Sequence, residues 1–392
     1  MDQALIAERP EEAARLRPRV LASLVGCHAI NDFYGLVTAP LLPAIRASFG
    51  LSYSAVAIVP FLTLITSALL QPTLGYLADR RALRRVFMAC GFGMITLAML
   101  SLGQSRSYLA VLVAAVFLGI GASTYHPQSA TLLAYFFAKQ RRGFAQGVHG
   151  IGNALGFLLA PVVIYLLLQH GEWRQVATWL ALPAAFGAVI ALFLLREPAS
   201  RGGRGLLAGI TGPLALLTVI NGLALATSSA FTNWLPTYYY GHGYTLASSA
   251  LLTGATSIAA FVAQPLGGAI SDRIGRRRLL GVALAGVGVS IGLFLLAPSI
   301  AVAIAFSLVV GFWSSLTPPV MMVYASELAP GERTGTAVGV VWGLATTVSA
   351  LALPLTGRLI DLAGGQVSTA YAVLAAFAVL AAALTRGLPG QD

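Results

Sequence analysis

Twelve apolar runs divide this chain. They lie at about 20–45, 54–77, 86–104, 108–137, 144–169, 175–195, 211–239, 247–270, 279–297, 300–326, 335–360 and 369–386. A helix needs about 20 apolar residues to cross about 30 Å of hydrocarbon, and each run is of that order. The expected fold is therefore an all-α membrane protein with twelve transmembrane helices. Composition agrees: 57% of residues are hydrophobic and only 9% are charged, against about a quarter charged in a soluble domain. The net charge of +11 would suit nucleic acid, but the charges sit in short gaps between apolar runs. There is no basic domain and no interleaving of basic and aromatic residues, so nucleic acid is excluded as a partner. Cys27 and Cys90 read as free thiols.

Lysine and arginine set the expected orientation. Arg9, Arg15, Arg17 and Arg19 lie in the polar N-terminal tail, and Arg80, Arg81, Arg84 and Arg85 between runs 2 and 3. Lys139, Arg141 and Arg142 follow run 4; Arg196, Arg201 and Arg204 follow run 6. Arg273, Arg276, Arg277, Arg278, Arg333 and Arg386 complete that side, and the other side holds Arg46, Arg106, Arg174 and Arg358. Twenty of the 24 cations on one side place both termini in the cytoplasm, in a bacterial-type inner membrane. The tail lacks the cleavage site and short apolar core of a signal peptide; it reads as a short cytoplasmic segment, partly helical.

The two halves of the chain repeat. QPTLGYLADRRALRR from Gln71 matches QPLGGAISDRIGRRR from Gln264, an offset of 193. Leu42-Pro43 matches Leu235-Pro236, and Pro161 matches Pro354, at the same offset; Gly119 and Pro127 match Gly311 and Pro319 at 192. This predicts a tail at 1–19, six-helix bundles at 20–196 and 211–387, a linker at 197–210 and a C-terminal tail at 388–392. Two parallel halves place a substrate site between them near mid-membrane.

The repeated motif carries a family resemblance. Gly75-x-x-x-Asp79-Arg80 followed by Arg84, and Gly268-x-x-x-Asp272-Arg273 followed by Arg276, resemble the doubled loop signature of the major facilitator superfamily, along nearly the whole chain. The resemblance implies a major facilitator fold and a conformational latch. Each loop acid would face the start of a helix in the opposite half, Asp79 near Gly335 and Asp272 near Phe144, where a helix N-terminus favours a carboxylate. Gly147, Gly150, Gly152, Gly156 and Pro161 in run 5 loosely resemble a motif of proton-driven exporters; close helix packing explains such small residues equally well.

The most informative polar residues are in run 1, in HAIND at 28–32. Asp32 lies 13 residues beyond Arg19, hence about 20 Å along a helix and near the bilayer centre. A carboxylate there costs several kcal/mol unless paired, hydrated or protonated. His28, Asn31, Asp32 and Gly35 share one helical face within about 100°, opposite Ile30, Phe33 and Val37. At offset 193, His28 corresponds to Asn221 and Asp32 to Leu225. The scaffold does not require an acid, so Asp32 is specific to the first half. It is the expected proton-coupling residue, with His28 and His126 as partners; a structural carboxylate hydrogen-bonded to a histidine is the plainer reading. His149 and Asn153 share a face of run 5.

His-x-x-Asn-Asp in run 1 with His126-Pro127 in run 4 resembles the fosmidomycin-resistance branch of drug exporters, in which a glutamate is expected after the His-Pro; Gln128 stands there instead. The superfamily resemblance implies that helices 1, 4, 7 and 10 line the cavity. Candidate substrate contacts are Asn31, Gln128, His149 and Asn153 in the first half. In the second they are Asn221, Ser228, Thr232, Asn233, Trp313, Thr317 and Trp342. No lysine or arginine lies deep in a run to clamp an anion.

The expected function is a monomeric, proton-coupled antiporter exporting a small organic compound by alternating access. Two alternatives stand beside it. One is a symporter or facilitator for a small organic anion. The other is a metal or metal-chelate exporter using His28 and Asp32, whose i, i+4 spacing suits ligation. No phosphate loop, HExxH or nucleophile with a plausible base is present, so no enzyme, catalytic residue, cofactor or resident metal is expected.

Overall fold

A computed structural model describes residues 10–81, 83–137, 139–195, 211–328 and 334–390. Within them the chain is helical throughout, and twelve spans are long and apolar enough to cross a membrane. They run Arg17–Phe49, Tyr53–Leu74, Arg84–Gly103, Tyr108–Leu133, Ala145–Leu168 and Trp173–Leu194, then Gly212–Gly241, Leu246–Ile274, Arg276–Leu295, Ile300–Glu327, Val341–Leu362 and Val367–Gly387. We number them spans 1 to 12. The tail expected at 1–19 is described from Pro10, where the first described helix begins.

The spans form two six-helix bundles related by the sequence repeat, and the repeated glycines show it. A Cβ on Gly119 of span 4 would lie 2.5 Å from the Thr63 carbonyl oxygen of span 2. Gly311 of span 10 meets the Thr256 carbonyl of span 8 in the same way. Thr63 and Thr256 are themselves 193 positions apart, so one helix crossing is built twice from equivalent residues.

Four spans expected to be continuous are interrupted. Span 1 is helical over Pro10–Gly35, turns, and resumes as a 3-10 turn at Ala39–Leu41 and a helix at Leu42–Phe49. Pro40 and Pro43 supply no backbone N–H here and restrict the residues before them. Span 4 breaks between Tyr108–Ala122 and Tyr125–Phe136, just before Pro127, whose ring cannot pack against an intact preceding turn. Span 6 divides into Trp173–Trp179 and Ala181–Leu194. Span 8 is divided into Leu246–Thr253, Ala255–Ile258 and Ala260–Ile274.

The halves meet where span 2 packs on span 11, span 5 on span 8, and the 3-10 turn and helix after Gly35 on span 7. On the side away from the chain termini, the Asp361 carboxylate at the end of span 11 accepts the Tyr53 and Ser54 backbone N–H groups at 2.7 and 2.9 Å. These are the free donors at the start of span 2. Gly357 permits the approach: a Cβ there would lie 2.7 Å from the Tyr53 carbonyl oxygen. The Arg46 guanidinium covers the Tyr53 ring at 3.9 Å.

Candidate functional site

Span 5 brings the polar face of span 1 into a cluster. Gly156 lets the backbones touch, since a Cβ there would lie 2.5 Å from the Ala29 carbonyl oxygen and 2.8 Å from the Phe33 nitrogen. Gly152 meets Val25 and His28 similarly, whereas Gly147 and Gly150 face open space. Packing thus accounts for two of the span 5 glycines. That contact sets His149 against His28 and Asn153 against Asp32.

Asp32 is buried, at 4% exposure, yet richly partnered. Oδ1 accepts from the Asn31 amide at 2.8 Å, and Oδ2 from the Asn153 amide at 2.5 Å. His28 Nε2 is 3.1 Å from Oδ2 and His126 Nε2 is 3.6 Å from Oδ1. His28 and His149 are buried, while the His126 side chain is 46% exposed. His126 is therefore the open edge of an otherwise closed cluster. The break in span 4 before Pro127 turns both Tyr125 and His126 towards span 1.

The donors and acceptors fix where protons sit. His28 Nδ1 faces the His149 backbone carbonyl at 2.9 Å. A carbonyl only accepts, so Nδ1 carries hydrogen. His149 stacks on His28 with ring centres 4.1 Å apart. The Tyr125 hydroxyl donates to the Leu24 carbonyl at 2.6 Å, leaving its oxygen to accept from His149 Nε2 at 2.7 Å. With Nδ1 of His28 already a donor, its Nε2 and Asp32 Oδ2 form a hydrogen bond only if one proton lies between them. The proton belongs either to an imidazolium facing a carboxylate or to a carboxylic acid facing a neutral imidazole.

His28, Asp32 and His126 also have donor atoms within 4.8 Å of one another, a spacing that admits a small cation. The carboxylate oxygens, however, already accept from two amides, and His28 is in direct hydrogen-bonding reach of one of them.

The other expected residues are dispersed. Gln128 is buried and reaches only weakly to the Leu74 carbonyl, at 3.5 Å, with Oε1 unpartnered among the described residues. Asn221, the counterpart of His28, is buried with its Nδ2 unpartnered among them. Ser228 and Asn233 bond to carbonyls of their own helix, at Leu225 and Ser229; Thr232 between them is half-buried. Thr317 likewise bonds to Ser314. Trp313 turns its ring onto Gly286 of span 9 and Phe312, inside its own half. Trp342 packs among apolar residues of the second half. Three participants lay outside the expected set: Tyr125, Gln264 and Asp361. Tyr125 adjoins His126, and Gln264 repeats Gln71, which were the available signals.

Of the expected latch, the side chains of Gly75, Asp79 and Arg80 lie outside the described residues, as do those of Phe144 and Gly335. Arg84 is buried and Gly268 faces open space. Asp272 pairs with Arg276 one turn on, and Arg276 also reaches Glu327 at 3.4 Å; Arg273 is exposed. In this conformation Asp272 is thus partnered within its own half.

A family model described as Major Facilitator Superfamily matches residues 24–259 and 214–390. The uncharacterized MFS-type transporter YfnC of Bacillus subtilis is 27% identical over 358 residues, covering 86% of this chain and 85% of that protein. The fosmidomycin resistance protein of Escherichia coli is 25% identical over 361 residues, covering 89% and 88%. Among solved structures, a bacterial homolog of the human lysosomal transporter Spinster, in an inward-facing and unoccupied conformation, superposes with a TM-score of 0.77. It is 17% identical, with 94% of this chain and 96% of that one covered.

Proposed function

Because the chain belongs to the Major Facilitator Superfamily, and is thus a membrane transporter rather than an enzyme, we propose that it is a proton-coupled antiporter. It exports a small organic compound by alternating access, with Asp32 as the coupling carboxylate. The single observation behind this is the state of the Asp32–His28 pair: buried, 3.1 Å apart, and hydrogen-bonded only while one proton is shared. Loss of that proton sets two lone pairs against each other and breaks the pair. Proton release and local rearrangement are therefore one event, as a coupling site requires. His126, half-exposed beside the carboxylate, is the entry and exit point for the proton.

The halves at 20–196 and 211–387 act as the two moving bodies, with 197–210 linking them and both termini in the cytoplasm of a bacterial-type inner membrane. The Asp361 contact on the side away from the termini then closes the periplasmic face, and the state described is inward-facing. Gly75, Asp79, Arg80, Arg84, Gly268, Asp272, Arg273 and Arg276 form the cytoplasmic latch of the alternative state. The dispersed polar and aromatic groups of spans 7, 10 and 11 give the substrate shape and hydrogen bonds. The protein works as a monomer.

Fosmidomycin is the first compound to test, because a relative of similar length is named for resistance to it. Susceptibility of a host with and without the protein, for fosmidomycin and then a toxic-compound panel, identifies an exported compound. A protein that raises no tolerance to any compound, and in vesicles moves protons in the same direction as substrate, contradicts the antiporter reading and supports a symporter.

A further inference from the structure

Gln264 lies in span 8, in the half that carries no buried acid among the described residues. Its Nε2 donates to Asn153 Oδ1 at 3.1 Å, and Asn153 Nδ2 donates to Asp32 Oδ2 at 2.5 Å. A continuous chain of two hydrogen bonds therefore runs from the carboxylate, through an amide of its own half, to an amide of the opposite half. The chain has a direction. A carboxylate can only accept, so Asn153 must turn its NH2 group towards Asp32 and its carbonyl towards span 8. Position 264 must then donate. A hydrogen bond to an ionised acceptor is about twice as strong as a neutral one, and hydrogen bonds in series reinforce one another. Charge on Asp32 thus tightens the grip of Asn153 on Gln264, and discharge loosens it.

The surroundings leave few competing routes. Facing Asp32 are His28 from span 1, His126 and Tyr125 from span 4, and His149 and Asn153 from span 5; Cys27, next in sequence to His28, is buried. Span 6 has no titratable side chain between Ala181 and Leu194. Span 8 presents the Gln264 amide. Among the described residues facing Asp32 the titratable groups belong to the first half, and this amide is hydrogen-bonded to them from the second.

We propose that Gln264 is the positioning residue that couples the charge state of Asp32 to the movement of the second half. This rests on the proton-coupling reading of Asp32. The chain gives a tie between spans 5 and 8 that holds or releases with the proton, at the interface where the halves must rock.

The test needs no known substrate, because the proton is the probe. One spin label is placed in each half of the full-length protein in lipid nanodiscs, and the inter-half distance distribution is measured across pH 5 to 9. Gln264→Met keeps the length of the side chain without a donor, and Gln264→Leu removes the donor with a different shape, so a folding failure of one leaves the other. The expected result is a pH-dependent distribution in the wild type, a flattened response in both Gln264 variants, and a D32N/Q264M double variant indistinguishable from D32N. That non-additivity marks action through Asp32; a merely structural role gives additive effects. Retention of the wild-type pH response by Q264M and Q264L while D32N loses it, or additive effects in the double variant, overturns the role of Gln264 alone. Retention of the response by D32N overturns the proton reading and this role with it.

Discussion

Asp361→Ala tests which contacts hold the conformation. The carboxylate caps two backbone N–H groups at the start of span 2, at 2.7 and 2.9 Å, across the boundary between the halves. Loss of an N-terminal cap costs about 0.5–2 kcal/mol, and the favourable placement of a negative charge at a helix N-terminus adds about 0.3–1 kcal/mol. Asp361 is only partly buried, so solvent screening puts the total near the lower part of that sum, about 1–1.5 kcal/mol. The contact joins the two halves, so on the proposed inward-facing reading its loss falls on the state closed on this side. The equilibrium should move about 5- to 12-fold towards opening there. Asp361→Asn, which keeps one acceptor oxygen without the charge, should move it less. Reaction of an engineered cysteine near the start of span 2 with a membrane-impermeant maleimide reports the change, after replacement of the exposed Cys90. Equal labelling rates in the wild type and D361A, with both folded, would show that the capping bonds carry no conformational weight.

Other expectations concern how the cluster is built. Gly156→Ala places a Cβ 2.5 Å from the Ala29 carbonyl oxygen, so spans 1 and 5 must separate; such overpacking costs about 1–3 kcal/mol, and the melting temperature in detergent should fall measurably below wild type. Tyr125→Phe removes the acceptor for His149 Nε2, leaving a buried donor unpaired at about 1–3 kcal/mol; the same thermal assay should show a loss, and His149→Ala in that background should cost less than in the wild type.

The twelve spans and their doubling were legible because burial and length constrain sequence strongly, and the equivalence of Gly119 with Gly311 survives in three dimensions. The inward face of HAIND was legible too, since helical periodicity alone groups His28, Asn31 and Asp32, and all three are buried. Its partners were only half legible. His149 and Asn153 could be seen as polar residues on one face, but their seating against His28 and Asp32 depends on the glycine-mediated crossing of spans 1 and 5. The break after Gly35 was missed because a proline pair past the end of a helix looks, in sequence, like prolines tolerated within it. Trp313 shows the opposite limit. Its chemistry suits a cavity, but the rotation of span 10 about its axis decides its direction, and the ring lies on Gly286. Gln264 was visible only as half of a repeat. Its contact with Asn153 depends on the position of one half against the other, which no local pattern encodes.

Asp32 is proposed to carry the proton that drives transport. Once a toxic-compound screen has identified an exported compound, its uptake into everted vesicles is measured for the wild type and Asp32→Asn. One arm imposes a pH gradient; the other measures exchange of labelled for unlabelled compound without a gradient. The expected result is that D32N loses gradient-driven accumulation while exchange continues, because binding and rocking remain and coupling does not. Accumulation by D32N equal to that of the wild type would show that Asp32 is not the coupling residue.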